Sequence, residues 1–344
     1  DHISIAPNYS GTFEVPTLRE DYSFENSSLF PDGVIGERIP EIGFSQSIEL
    51  LSAKPIFPSI QSKYQKIEIF ESKHYGKILV LDGVTQLTER DANSYNEMMA
   101  HIPMFAHRKP ERVLIIGGGD GYVLSEVLKH DSVVLADHVD LDGEVIEVCR
   151  KYFKWGEHAW ADERTNLVVG DGAAFVRDAP DDYYDVIIQD SSDPFLVSDD
   201  GEETPLPSSV LYTSNHFMNI KRILRKGGIF NLQAETYTIP SDLKGIQLWR
   251  DQALQLGFAS ARYGTIAIST YPTGQIGFLL CESSSSSSDG EISYSSEADM
   301  MQHVKERFDR IKDTGKTTTY YHPRLQISSF DLPYWVEKAI YGDE

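Results

Sequence analysis

Val113-Leu-Ile-Ile-Gly-Gly-Gly-Asp-Gly121 is the stretch whose reading decides the fold: four apolar residues break into glycines and a single acid, with a helix-compatible Val123–Lys129 behind them. Such a run predicts a buried strand that turns directly into a helix, with backbone amides free to approach a ligand. Outward from it the pattern repeats. His138-Val-Asp-Leu-Asp142 reads as a strand and Val145–Tyr152 as a helix. Asn166-Leu-Val-Val169, Asp185-Val-Ile-Ile188 and Gly228-Ile-Phe-Asn-Leu232 read as further buried strands, with a helical stretch at Asn215–Leu224 before the last. Alternating strands and helices of this kind predict an α/β fold with a doubly wound parallel sheet. Ala259–Thr270 and Gly274–Leu280, joined by the turn Tyr271-Pro-Thr-Gly274, predict an antiparallel edge to that sheet.

Upstream, Lys66-Ile-Glu-Ile-Phe-Glu71 and Lys77-Ile-Leu-Val-Leu-Asp-Gly-Val-Thr-Gln-Leu87 alternate and are punctuated at Gly76 and Asp82-Gly83, which predicts a small antiparallel sheet. The organisation expected is a loosely ordered arm over residues 1–40, a small β domain over 41–104, a catalytic domain over 105–282, and a serine-rich linker with a helical tail over 283–344. The tail helices are expected at Asp299–Lys312 and Pro333–Ile340.

The formal net charge of −22 repels nucleic-acid phosphates and attracts small cations, so nucleic acid is excluded as a partner. Solubility alone also accounts for such acidity. No stretch approaches the ~20 apolar residues of a membrane span, and the first residues lack the basic start and apolar run of a secretory leader. Cys149 and Cys281 are too few for a disulfide framework and are not spaced for a metal site, which predicts a cytoplasmic location and no structural metal.

Candidate chemistry lies at the ends of the predicted strands. Counted from Gly117, the slot where a dinucleotide fingerprint places its third glycine holds Tyr122, which disfavours a pyrophosphate ligand. Asp140, ~20 residues beyond the loop, stands where an acid takes both hydroxyls of a ribose, while Asp142 is better placed to cap the following helix. Val169-Gly-Asp-Gly172 offers an aspartate for an adenine amino group, or simply a turn. Asp190-Ser-Ser-Asp193-Pro194 is the strongest local signal. Two carboxylates three apart at a strand end suit a site that binds one ammonium and deprotonates another.

Taken together, Leu81-Asp-Gly-Val-Thr-Gln-Leu-Thr-Glu-Arg-Asp91, Ser94-Tyr-Asn-Glu-Met98, Leu114–Gly121, Val169–Gly172, Asp190–Pro194 and Thr270-Tyr-Pro-Thr-Gly-Gln-Ile-Gly-Phe278 resemble the spermidine synthases over roughly residues 44–282, with a fainter likeness at Tyr320-Tyr321 and Phe330-Asp-Leu-Pro333. The resemblance implies a Rossmann-like, class I methyltransferase-like fold and a homodimer. It implies transfer of an aminopropyl group from decarboxylated S-adenosylmethionine, a co-substrate, to putrescine, with no metal or redox cofactor. It makes Asp190 the catalytic base, Asp193 the grip on the far ammonium, and Tyr95 and Tyr271 the amine-pocket tyrosines. Gln65, Asn96 and Asp120, with Asp140, Asp171 and Gly172, become donor-binding residues.

The match departs in three places: Tyr122 stands where the family carries glycine, Asn96 replaces a longer glutamine or histidine, and Phe195–Ser209 is an acidic stretch longer than the family's segment over the amine pocket. An S-adenosylmethionine-dependent amine N-methyltransferase and an inactive regulatory homologue are the competing expectations. Asp120 opposes the first, because a second carboxylate on the ligand would be repelled there.

Overall fold

The computed structural model describes residues 33–197, 203–283, 294 and 296–342. The chain opens with a hairpin, β1 (Val34–Ile39) and β2 (Phe44–Glu49), and an antiparallel four-stranded sheet, β3 (Ile60–Gln61), β4 (Lys66–Ser72), β5 (Gly76–Leu81) and β6 (Val84–Thr88). Helix α1 (Ala92–Ala106) leads into β7 (Arg112–Gly117), α2 (Tyr122–Val127), β8 (Leu135–Asp140), α3 (Gly143–Tyr152), α4 (Glu157–Trp160), β9 (Thr165–Val169), α5 (Gly172–Asp178) and β10 (Tyr184–Asp190). A ribbon of β11 (Phe195–Val197) and β12 (Glu203–Pro205) precedes α6 (Ser214–Ile223), β13 (Leu224–Gln233), α7 (Pro240–Gln255), β14 (Ser260–Ala267) and β15 (Gln275–Glu282). The tail holds α8 (Glu297–Asp313), α9 (Leu325–Ser328) and α10 (Tyr334–Tyr341).

The large sheet runs β14-β15-β13-β10-β7-β8-β9, with β13 to β9 parallel and β15 and β14 antiparallel at one edge. From β7 the chain winds outward through β8 and β9, then returns to β10 on the other side of β7. The carboxyl ends of β7 and β10 therefore form the switch point, where ligands of open α/β sheets bind. Alternation within each strand fills two cores. Val113, Ile115, Val186 and Ile188 face one that contains α1, α2 and α8, while Leu114, Ile116 and Ile187 face the other, with α6 and α7. Each such aliphatic side chain contributes about 1.5–3 kcal/mol on burial.

The expected α/β class and antiparallel edge are what the chain forms. Asp142 caps α3 as anticipated, accepting from the Glu144 amide at 3.1 Å. The arm expected to lack regular structure through Pro40 is corrected for its last residues: β1 pairs with β2 from Val34↔Glu49 to Ile39↔Phe44, because the two segments alternate in matching register. Residues 1–32 and most of the Ser283–Ser288 run lie outside the described residues.

The C-terminal segment is built into the core. Val304, Phe308 and Ile311 of α8 are buried with α1. Glu97 of α1, 1 % exposed, accepts the backbone amides of Thr319 (2.8 Å), Tyr320 (2.8 Å) and Tyr321 (2.7 Å) and the Thr319 hydroxyl (2.9 Å). Four donors replace the hydration that this carboxylate loses.

Candidate active site

Parallel pairing aligns Asp190 with Gly117 at the switch point. The Gly118 amide donates to the Asp190 carbonyl at 2.9 Å. A Cβ on Gly118 would stand 2.8 Å from Asp190 Oδ2, and one on Gly119 would stand 2.8 Å from Asp140 Oδ2. The glycine loop thus lies between two carboxylates, and side chains there would push them away. Asp120, at the crest of the loop, is 9 % exposed and accepts the Tyr122 amide at 2.7 Å.

Burial raises the carboxyls of Asp190, Asp120 and Asp140. Asp190 is pushed up to about 6 by desolvation, opposed by the Tyr95 hydroxyl, which donates to Oδ1 at 2.7 Å. Asp120 reaches about 8, by burial first and then by the charge of Asp190 and, less, of Asp140. Asp140, whose Oδ1 accepts the Asp142 amide at 2.8 Å, is raised to about 6 chiefly by burial.

Beyond Asp190 lies a second group of acids. Asp193 is raised by burial and is the hydrogen-bonding neighbour of Glu235. Glu235, just past β13, holds a left-handed φ of 54° and is 5 % exposed. Its Oε2 accepts the Tyr271 hydroxyl at 2.5 Å. Its Oε1 has no hydrogen-bond partner among the described residues, and the Glu235 and Asp193 carboxyls are near enough to share a proton. Burial, then the charge of Asp193, holds Glu235 well above the usual carboxylate range. Glu37 of β1 and Asp242 of α7 are each raised to about 7, chiefly by burial and in part by Asp193. No lysine or arginine pairs with Asp190, Asp193, Glu235, Glu37 or Asp242 among the described residues. A cluster of acids this dense, without basic partners, is tolerated where a cationic ligand completes it.

The structure therefore brings together Asp190, Tyr95, Asp120 and Asp140 around the loop, and Asp193 and Tyr271 around Glu235. Gln65 reaches the same end of the sheet: its Nε2 donates to Asp142 Oδ2 at 3.1 Å, beside Ser62 Oγ at 2.6 Å. Asn96 and Asp171 are engaged locally. Asn96 Nδ2 donates to the Ala92 carbonyl of its own helix at 2.7 Å, and Asp171 caps α5, accepting the amides of Ala173 (2.8 Å) and Ala174 (3.2 Å). Gly172 packs against β7, where a Cβ would come within 2.6 Å of Ile116 Cγ2. The unexpected Tyr122 ring leans on Trp155, with centroids 5.1 Å apart. Glu235, Glu37 and Asp242 escaped the sequence reading. The only signal was an acid two residues past the strand ending Leu232-Gln233.

Known proteins repeat this plan. Residues 92–289 match the sequence profile of the "Spermine/spermidine synthase domain", and residues 59–89 that of the "Spermidine synthase tetramerisation domain". The chain is 36% identical to spermidine synthase 2 of Arabidopsis thaliana over 81% of its own length and 76% of that protein's. It is 33% identical to spermidine synthase of Coffea arabica over 92% and 96%. A crystal structure of spermidine synthase in complex with the transition-state analogue AdoDATO superposes with a TM-score of 0.74 at 31% identity, covering 89% of this chain and 94% of that one. Spermidine synthase from Thermotoga maritima gives 0.72 at 30% identity, covering 89% and 93%.

Fold and site define a group-transfer enzyme of the Rossmann-like, methyltransferase-like class. Within that class the chain belongs to the spermidine synthase family, and it is an aminopropyltransferase of polyamine biosynthesis.

Proposed function

We propose that the chain moves the aminopropyl group of decarboxylated S-adenosylmethionine to putrescine, giving spermidine and methylthioadenosine, with Asp190 as the base. The carrying observation is the pair of carboxylate groups at the switch point: Asp190 with Tyr95 against the glycine loop, and Asp193 with Glu235 and Tyr271 beyond. Their separation into two groups suits an acceptor with a nitrogen at each end.

In the reaction as written, the amine nitrogen forms a bond to the carbon beside the sulfonium. The carbon–sulfur bond breaks, its electron pair stays on sulfur, and the amine proton passes to Asp190. The sulfonium is its own leaving group, so the step draws on no further cofactor. An alkylammonium of pKa ~10.4 costs about 4.6 kcal/mol to neutralise at pH 7. Desolvation lifts Asp190 towards that value, which makes it a better base than an exposed aspartate. Asp193 and Glu235 hold the far ammonium, flanked by Tyr95 and Tyr271. Gln65, Asp140, Asp171 and Gly172 bind the adenosyl part of the donor, Asn96 lines its wall, and Asp120 faces its ammonium.

Mass spectrometry of products from each donor with a panel of diamines tests the reading. Methylthioadenosine with an amine enlarged by one aminopropyl unit supports it, whereas methylated amine, or no product, sinks it.

The raised Asp120 adds a pH signature. Near neutrality the empty site holds this carboxyl largely protonated, and the ammonium of the decarboxylated donor favours its ionised form. Donor binding then releases a proton, so Kd falls as pH rises from about 6 to about 9. Calorimetry in buffers of different ionisation heat reads this directly. Asp120→Asn is expected to remove the pH dependence and to narrow the preference over S-adenosylmethionine by at least about tenfold. A variant that keeps both contradicts the role.

For assembly, the match of residues 59–89 to a tetramerisation profile supports an oligomer, and we take the homodimer as its unit. Light scattering that shows a monomer at assay concentration refutes this. A cytoplasmic location draws support from Cys149 and Cys281, which are buried and unpaired.

A further inference from the structure

The Thr88-Glu-Arg-Asp91 motif takes no part in the reaction above, yet its last residue stands between the two pocket tyrosines. Asp91 occupies the N-cap place of α1 without capping the helix. An aspartate at this place ordinarily caps its helix, and here the carboxylate is used elsewhere. Oδ1 accepts the Thr88 hydroxyl at 2.6 Å. Oδ2 accepts Ser269 Oγ (2.8 Å), the Thr270 amide (3.0 Å) and Thr270 Oγ1 (2.9 Å). Asp91 is 8 % exposed and has no lysine or arginine partner among the described residues. Every contact to it is a donor, so it acts as an acceptor alone.

What it joins is the point. Tyr95 lies on the first turn of α1, four residues after Asp91, and its hydroxyl ends on Asp190. Tyr271 follows Thr270 directly, and its hydroxyl ends on Glu235. The Thr270 carbonyl is held in turn by Gln46 Nε2 of β2 at 2.6 Å. One buried carboxylate therefore fixes the start of the Tyr95 helix against the backbone that carries Tyr271.

We propose that Asp91 is a positioning residue that sets the separation of Tyr95 and Tyr271, and thereby the length of diamine the pocket accepts. The inference rests on the diamine reading above. It follows from chain geometry: both oxygens of Asp91 are taken up by protein donors, and the backbone that carries Tyr271 shifts against the start of the Tyr95 helix only if a bond to Asp91 lengthens or breaks. A single methylene in an apolar pocket is worth about 10–200-fold in specificity, so a small change in that separation shows first in discrimination between lengths.

The experiment compares kcat/KM for propane-1,3-diamine, butane-1,4-diamine and pentane-1,5-diamine, together with donor Kd, in the full chain and in Asp91→Ala, Asp91→Asn and Thr270→Val. In Asp91→Ala the ratio between the best and next-best diamine is expected to fall by about tenfold, with donor Kd unchanged. Asparagine should largely restore the ratio, because its Oδ1 can face Thr270 while its Nδ2 donates to Thr88 Oγ1. Thr270→Val, which loses one hydroxyl and keeps the amide, should move the ratio less and in the same direction, and it decides the matter if Asp91→Ala fails to fold. An equal loss on all three diamines, at constant ratio, overturns the inference and leaves Asp91 a purely structural residue. So does an asparagine variant as relaxed as the alanine one. If the unaltered chain transfers to no diamine, the functional reading itself has failed; if it discriminates and the variants discriminate equally, only the Asp91 inference has.

Discussion

Asp190→Asn is expected to lower kcat by at least about a thousandfold while donor Kd stays within about threefold, since ~4 kcal/mol of barrier corresponds to that factor. The amide nearly matches the carboxylate in shape and can still accept the Tyr95 hydroxyl, so the glycine loop should keep its place against residue 190. What it cannot do is take the proton from the attacking nitrogen. Single-turnover kinetics separate chemistry from binding, and a variant turning over at near-normal rate removes Asp190 from the role of base. Tyr95 supplies an internal check. Its hydrogen bond lowers the Asp190 carboxyl against the upward push of burial, so removing the hydroxyl should carry the acid limb of kcat to higher pH.

Glu235→Gln should produce opposite effects on stability and on activity. In the empty site Glu235 and Asp193 are buried acids in contact, both raised. A buried acid with a raised folded value contributes its stability below the unfolded carboxylate range and loses it as pH rises through the folded value. The empty protein should accordingly melt progressively lower as pH rises through the window set by Asp140 and Asp190 at about 6, Glu37 and Asp242 at about 7, and Asp120 at about 8. A glutamine at 235 keeps an acceptor for Tyr271 and gives Asp193 a permanent donor. Tm of the empty variant near pH 8 should rise, while kcat/KM for the diamine falls by about a hundredfold, roughly the 3 kcal/mol tied to an unmatched buried charge. Differential scanning fluorimetry and steady-state kinetics on one preparation read both. A lower Tm with intact kcat/KM contradicts the assignment of Glu235 to the amine pocket.

The strands that make the switch point were legible because each is apolar on both faces and stops at a glycine or an acid, as Val113–Gly117 and Asp185–Asp190 do. The acids closing those strands were legible for the same reason. Glu235 was not, because its position depends on a left-handed turn after β13 that no glycine or asparagine announces. Glu37 was hidden within β1, whose pairing with β2 is long-range information that local polarity obscures. Asp91 was visible in a motif, but its duty was not. An aspartate before a helix reads as a cap, and only the tertiary contact with Thr270 withdraws it from that task. Asp171 shows the converse: the plain capping role is the one its contacts display.

The clasp of Glu97 by Thr319–Tyr321 also bears on how the molecule is made. The two partners are 222 residues apart in the chain, and the helix they complete carries Tyr95. During synthesis α1 emerges before Thr319–Tyr321, with a carboxylate whose donors do not yet exist, and closure over so long a loop is slow. Until Thr319–Tyr321 leave the ribosome, the helix that carries Tyr95 lacks these donors, so competence for chemistry is expected to trail the synthesis of the domain that houses the glycine loop.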